Sequence, residues 1–221
     1  MVEKKKKKSE ITKAYIYEGA IKLFTKQGFD KTTMRDLASS LDMSLGNIYY
    51  HFKNKDDILI HYFRILQDET VSGVTDSLES KLSKQNKIKK IIQTNMDLLK
   101  KNSSITKELI KSTSGLSHPL SPFGDELRDC QMGAIELFRR ALSEDQKKSE
   151  YLDSLAFLYW LYYLGLCLFW ANDDSDQSAM TEKLYGLSFP LTYKLVGLTR
   201  IGVGKKLLIQ ISKTMRSILM K

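Results

Sequence analysis

TTMRDLASSLDMSLGNIYYHFKNKDDI, residues 32–58, is the stretch on which the fold turns. Thr33 with Asp36 three residues later is a capping box, each side chain satisfying the other's backbone N–H at a helix start. Leu37, Ala38 and Leu41 are that helix's inward face. After a turn at Asp42 and Met43, Ser44 is placed to cap a second short helix running to about His51. Asn54 with Asp57 repeats the box and opens a long helix. Two short helices joined by a tight turn behind a longer supporting helix make a helix-turn-helix, whose second helix enters the DNA major groove by its N-terminal end.

Leu45, Gly46 and Asn47 then form the reading tip. Glycine weakens a helix, but its missing side chain lets the backbone approach bases closely, and Asn47 can donate and accept on a base edge. Ile48 and Phe52, four residues apart, face the small core. Tyr49, Tyr50 and His51 cannot all be buried beside them, which leaves hydroxyl and imidazole groups at the rim for phosphate oxygens. Lys55 adds a cation in the first turn of the next helix, beside amides that favour anions. Aromatics on a short helix more often serve the core, and Tyr49 is read as doing both; Asp36 is read as a cap rather than a base reader.

Outward from this stretch the chain reads as helical nearly throughout. Upstream, Ile11, Ala14, Tyr15, Ala20, Ile21, Leu23 and Phe24 give one face to a helix over Ser9–Gln27, stopped by Gly28 with Phe29. Downstream, periodicity predicts helices near 85–101, 104–112, 123–143, 149–171, 177–199 and 203–219. Breaks fall at SGLSHPLSP, SEDQKKSE, NDDSD and the paired Gly202 and Gly204, and Pro190 is expected to kink the helix that holds it. Only three prolines in 221 residues and 42% hydrophobic content suit an all-α protein with a core that needs no staples. The two cysteines, Cys130 and Cys167, have neither disulfide-framework nor zinc spacing, so a reducing cytoplasm is expected. VEKKKKKSE has no apolar run behind its lysines, so residues 1–8 are read as a solvated, disordered arm and not as a membrane anchor.

The net charge of +9 is uneven. Residues 1–60 hold twelve Lys and Arg against eight Asp and Glu, and residues 81–111 hold nine against two. A basic N-terminal end suits a polyanion such as nucleic acid. The lysines of 81–111 are read mainly as a solvated helix face, with attraction of an anionic effector as the alternative. No HExxH, GxSxG or phosphate-binding glycine loop is present, and three dispersed histidines assemble no catalytic or metal set. An enzyme is not expected, nor a cofactor.

The run AIKLFTKQGFDKTTMRDLASSLDMSLGNIYYHFKNKDDIL, residues 20–59, resembles the DNA-binding domain of the TetR family of bacterial transcriptional regulators, the resemblance covering residues 10–58. It implies that Thr33, Tyr49, Tyr50, His51 and Lys55 hold the DNA backbone while Arg35, Leu45, Gly46 and Asn47 face bases or the groove edge, with Ser44 beside them. Asn47 stands where the family usually has Thr, Ser or Ala. Beyond the arm at 1–8, the resemblance implies two units: a three-helix DNA-binding domain at 9–54 and a helical effector-binding and dimerisation domain at 55–221 entered by the long helix. It also implies a cytoplasmic homodimer, a double-stranded operator as partner and a small-molecule effector. A regulator governed by a protein partner, with no small-molecule effector, is the alternative.

Within the second domain LAFLYWLYYLGLCLFWA, residues 155–171, is uncharged over seventeen residues. It is near the short limit for a membrane span, and burial against the domain and a twin subunit is the preferred reading over a membrane. Leu184, Leu187, Leu191, Leu195 and Leu198 follow at helical spacing as the expected dimer interface. Met96, Leu99, Phe123, Trp160, Tyr163 and Trp170 are the candidate lining of an apolar ligand cavity, each equally readable as core. His118 is read as a turn residue.

Overall fold

A computed structural model describes residues 2–116, 118–143, 149–199 and 202–220, with side chains from Lys7 onward. Ten α-helices and no strand are found among the described residues. They are α1 (Val2–Gln27), α2 (Met34–Ser40), α3 (Leu45–His51), α4 (Lys55–Glu79), α5 (Lys84–Lys101), α6 (Ser103–Thr113), α7 (Arg128–Leu142), α8 (Glu150–Ala171), α9 (Ala179–Leu198) and α10 (Gly202–Leu219). Single 3-10 turns precede α7 and α9.

The helix starts follow local chemistry. Thr33 and Asp36 form the complete capping box of α2, Ser44 accepts from Asn47 N–H at the start of α3, and Asn54 accepts from Asp57 N–H at the start of α4. Gly28 ends α1 at φ +88°, a left-handed position. Two expectations for α1 are corrected. Residues 2–8 are its first turns rather than a disordered arm, because nothing between Lys8 and Ser9 breaks the helix. Its buried stripe is Ile16, Ala20 and Phe24, while Ile11 and Tyr15 are exposed.

Two apolar cores organise the chain. The smaller gathers Ile16, Phe24, Leu37, Ile48, Phe52 and Ile58, and is completed by Ile105 and Leu109 of α6. The larger is built around α8, with Ile88 and Ile92 of α5 and Phe138 of α7 among its fully covered members. α8 is long and apolar enough to cross a membrane by length and composition, yet Phe157, Tyr159, Trp160 and Trp170 are buried in this core. The basic stretch is also less solvated than expected: Lys87 is buried, Lys100 pairs with Glu182, and Lys107 donates to the Asp173 carbonyl and lies 5.4 Å over the Trp170 ring.

Candidate DNA-reading tip and effector cavity

α2 and α3 are held at their angle by short local bonds. Met43 N–H donates to Ala38 O at 2.9 Å, and Asp42 takes the turn at φ +51°. Ile48 and Phe52 are buried, as the four-residue spacing predicts. This leaves the opposite side of α3 facing water: Tyr50 is 77% exposed and Tyr49 47%, and Gly46 and Asn47 are exposed. A methyl group built on Gly46 would meet no atom within 4 Å. Nothing inside the chain therefore requires glycine there. Leu45 is half-buried, packed partly on the small core, so it forms the shoulder of the tip.

The remaining predicted DNA-facing residues surround this tip with differing freedom. Arg35 is exposed and lines, with Ser44 and Leu45, a shallow groove between α2 and α3. The Thr33 hydroxyl is committed to Asp36, donating to Oδ2 at 2.7 Å and accepting from its N–H at 3.1 Å. The Thr33 hydroxyl, with the Thr33 N–H that also donates to Oδ2 at 2.8 Å, holds the Asp36 carboxyl below its usual range. Lys55 is half-buried; its Nζ donates to Phe29 O at 2.9 Å and Asp30 O at 3.1 Å, and sits 4.4 Å over the Phe29 ring. Two of its three N–H bonds thus fasten α4 to the turn after α1. His51 packs edge-on against Tyr50, and burial together with the nearby Lys13 pushes its pKa below the usual imidazole value. Lys13, which sequence reading passed over, lies 5.1 Å over the Phe52 ring and brings an α1 cation to the rim of the tip. Its sequence signal was weak, one lysine among many on a basic helix.

In the second domain a cavity of about 150 Å³ is enclosed mainly by apolar side chains, Leu99, Phe123, Trp160 and Tyr163 among them. Phe123 and Trp160 meet edge-on at 5.7 Å. Two predicted lining residues are corrected. Met96 faces a separate groove beside Thr181 and Glu182, a step of one residue round α5 from the cavity-facing Asn95. Trp170 lies beneath Lys107 and is two residues beyond Leu168, the last α8 residue on the cavity wall. Sequence reading missed Phe63, Leu66 and Gln67 of α4, and it missed that both cysteines line this one cavity. Burial pushes the Cys167 thiol up to about 12 and raises Cys130 as well. Both are neutral thiols near pH 7, poor nucleophiles and poor metal ligands. His118 is a turn residue whose Nδ1 accepts from Leu120 N–H at 3.1 Å.

The predicted interface leucines of α9, Leu184, Leu187, Leu191, Leu195 and Leu198, are all exposed. α10 carries a second exposed stripe, Val203, Leu207, Ile211, Met215 and Ile218.

Comparison with known proteins fits both halves. Residues 16–62 match the model of "Bacterial regulatory proteins, tetR family", and residues 87–209 match "Tetracyclin repressor-like, C-terminal domain", more than half of the chain. The chain belongs to the TetR family. Its members are transcriptional regulators and not enzymes. Among TetR-type relatives, the "Probable HTH-type transcriptional regulator YttP" of Bacillus subtilis is 34% identical over 91 residues, 40% of this chain and 42% of that protein. The "HTH-type transcriptional regulator AcrR" of Shigella flexneri is 34% identical over 58 residues, 26% of this chain and 27% of that one. Both matches span less than half of the relative's length. Among solved structures, the fatty acid degradation regulator FadR from Bacillus halodurans superposes with a TM-score of 0.59 at 15% identity, covering 79% of this chain and 93% of that one. At that identity the likeness is one of fold.

Proposed function

We propose that this TetR-family protein is a cytoplasmic repressor that binds a palindromic operator as a homodimer and leaves it when a small, largely apolar ligand enters the cavity. The observation that carries the DNA-binding part is the open space at Gly46 beside exposed Asn47 and Tyr50, a surface built for a partner and not for the chain's own packing. Asn47 and Arg35 read bases. Tyr49, Tyr50 and His51 hold phosphates, joined by Lys13. Thr33, Ser44 and Lys55 help fix the angle of the tip through hydrogen bonds within the chain, and Lys55 keeps one N–H for a phosphate.

Dimer formation is supported by the apolar stripes on α9 and α10, since surfaces of that extent mark interaction sites. Two tips related by a two-fold axis read half-sites about one helical turn, or a multiple of it, apart. Release is supported by how the cavity is built. α4 contributes Phe63 and Leu66 to its wall and Lys55 to the Phe29 turn; α6 contributes Ile110 to the wall, and its Glu108 accepts from Phe29 N–H at 2.9 Å. A ligand that spreads these helices moves the turn that leads into α2.

Selection of bound duplexes from random DNA, followed by footprinting across a salt series, tests the reading. A symmetric motif and a steep fall in affinity with salt are expected. Sequence-indifferent binding by a monomer rules the proposal out. Leu191→Glu and Ile211→Glu place an unpaired charge on each stripe, at a cost of several kcal/mol if the stripe is buried between subunits. Each is expected to sediment as a monomer; a variant that stays dimeric removes its stripe from the interface.

A further inference from the structure

Most polar side chains of the cavity already hold a partner. Asn95 Oδ1 accepts from Thr70 Oγ1 at 3.0 Å and from the Tyr163 hydroxyl at 3.3 Å, and Asn95 Nδ2 donates to Ile91 O at 3.3 Å. Thr113 and Ser114 donate back to carbonyls of their own helix, and Gln131 Nε2 donates to Gly124 O at 3.0 Å. Gln67 is the exception. It lines the cavity, but its Nε2 has no hydrogen-bond partner and is covered, lying so close over α7 that a methyl group on Gly133 would sit 2.9 Å from it, so the amide must rotate out of that seat to offer its N–H to a ligand. A buried amide N–H without an acceptor costs about 1 to 3 kcal/mol, so a ligand atom able to accept it gains more than the hydrogen bond alone. Among the described residues, no side chain lining the cavity carries a charge. A carboxylate or phosphate placed there would find no counter-ion among the lining side chains, which disfavours it.

Resting on the reading of this cavity as the effector site, we propose that it is specific for an uncharged, compact apolar molecule carrying one hydrogen-bond acceptor, which is held by the Gln67 amide. The volume of about 150 Å³ fits a single ring. The aromatic wall of Phe63, Phe123 and Trp160 supplies the apolar contact. Gln67 stands on α4 and Gly133 on α7, so the acceptor is bound at the seam between the helix that leads to the DNA-binding domain and the body of the second domain. The basic stretch at 81–111 plays no part in selecting the ligand.

Three probes of nearly one size test this on the full-length protein: acetophenone, a neutral acceptor; ethylbenzene, which has no acceptor; and benzoate, an anion. Binding is read by tryptophan fluorescence and by the shift in melting temperature. Acetophenone is expected to bind at least about fivefold more tightly than ethylbenzene, since it relieves a penalty of about 1 kcal/mol or more, and benzoate to give no saturation in the same range. Gln67→Met keeps the bulk and removes the amide, so the two neutral probes then bind alike; Gly133→Ala displaces the amide and narrows the preference. Benzoate binding as tightly as acetophenone, a preference that survives in Gln67→Met, or no binding by any probe overturns the proposal. Release of the selected operator is measured separately by fluorescence polarisation. A neutral probe that binds as described without releasing DNA leaves the Gln67 site standing and removes the effector reading, whereas release by benzoate alone does the reverse.

Discussion

At the scale of single residues, Gly46 carries the sharpest distinction between stability and recognition. In a helix interior glycine costs roughly 0.5 to 1 kcal/mol relative to alanine, and here the added methyl would touch nothing. Gly46→Ala is therefore expected to stabilise the free protein by about that amount while weakening specific DNA binding, because the methyl group stands where the duplex approaches. Denaturant unfolding and a binding titration on one sample decide it; a stabilised variant with unchanged affinity and motif shows that Gly46 is not at the DNA surface. The four-residue step from Ile48 to Phe52 was enough to foretell which side of α3 is buried, and hence that Tyr50 is not. Lys55 was harder. Its hold on Phe29 and Asp30 depends on how α1 and α4 cross, which no local spacing encodes.

Among the elements, most helix starts and stops follow the sequence closely, because caps and the left-handed glycine act within four residues of chain; the exceptions are α1, which begins at Val2 and not Ser9, and α7, which begins at Arg128 after a 3-10 turn and not at Phe123. What each helix packs on does not. Periodicity starts the α1 stripe at Ile11, about one and a half turns before Ile16, where burial begins, and it places Met96 and Trp170 on a cavity whose position depends on α4 and α7. The link between α8 and α9 shows the same dependence. Asp173, buried there, accepts from Ser175 N–H at 3.0 Å and Oγ at 2.6 Å, and from Thr181 N–H at 2.8 Å and Oγ1 at 2.6 Å. The Ser175 and Thr181 hydroxyls lead in holding its carboxyl well below the usual carboxylate range. A pKa lowered in the folded state stabilises above the unfolded value, near 4, and the contribution is lost as pH falls from there toward the folded value. Asp173→Asn, with one acceptor oxygen facing four donors, is expected to lower the melting temperature at pH 7 and to flatten its decline below pH 4. A variant whose melting temperature falls with acid as steeply as the wild type's assigns that acid sensitivity to other carboxylates.

Across the whole molecule the two cores are joined through α4 and α6, and both helices hold the same turn. Lys55 holds the Phe29 carbonyl and Glu108 the Phe29 N–H, while Tyr62 of α4 and Thr106 of α6 share a buried hydrogen bond of 2.6 Å between them. A ligand changes DNA affinity only by the difference in its own affinity for the two shapes of the protein; a hundredfold difference corresponds to about 2.7 kcal/mol. The same factor must then describe how operator DNA weakens ligand binding. Glu108→Met keeps the side-chain bulk but frees Phe29 from α6. Ligand affinity in the absence of DNA is expected to stay within about twofold of wild type, since Glu108 is not on the cavity wall and distant sites couple weakly. The ligand's effect on operator affinity should shrink, and the operator's effect on ligand affinity should shrink by an equal factor. Measuring both ratios by polarisation and tryptophan fluorescence closes the thermodynamic cycle. Undiminished coupling in Glu108→Met assigns the transmission to α4 and Lys55 alone, and a variant that loses operator binding before any ligand is added makes the Phe29 bond a support for the tip rather than part of the switch.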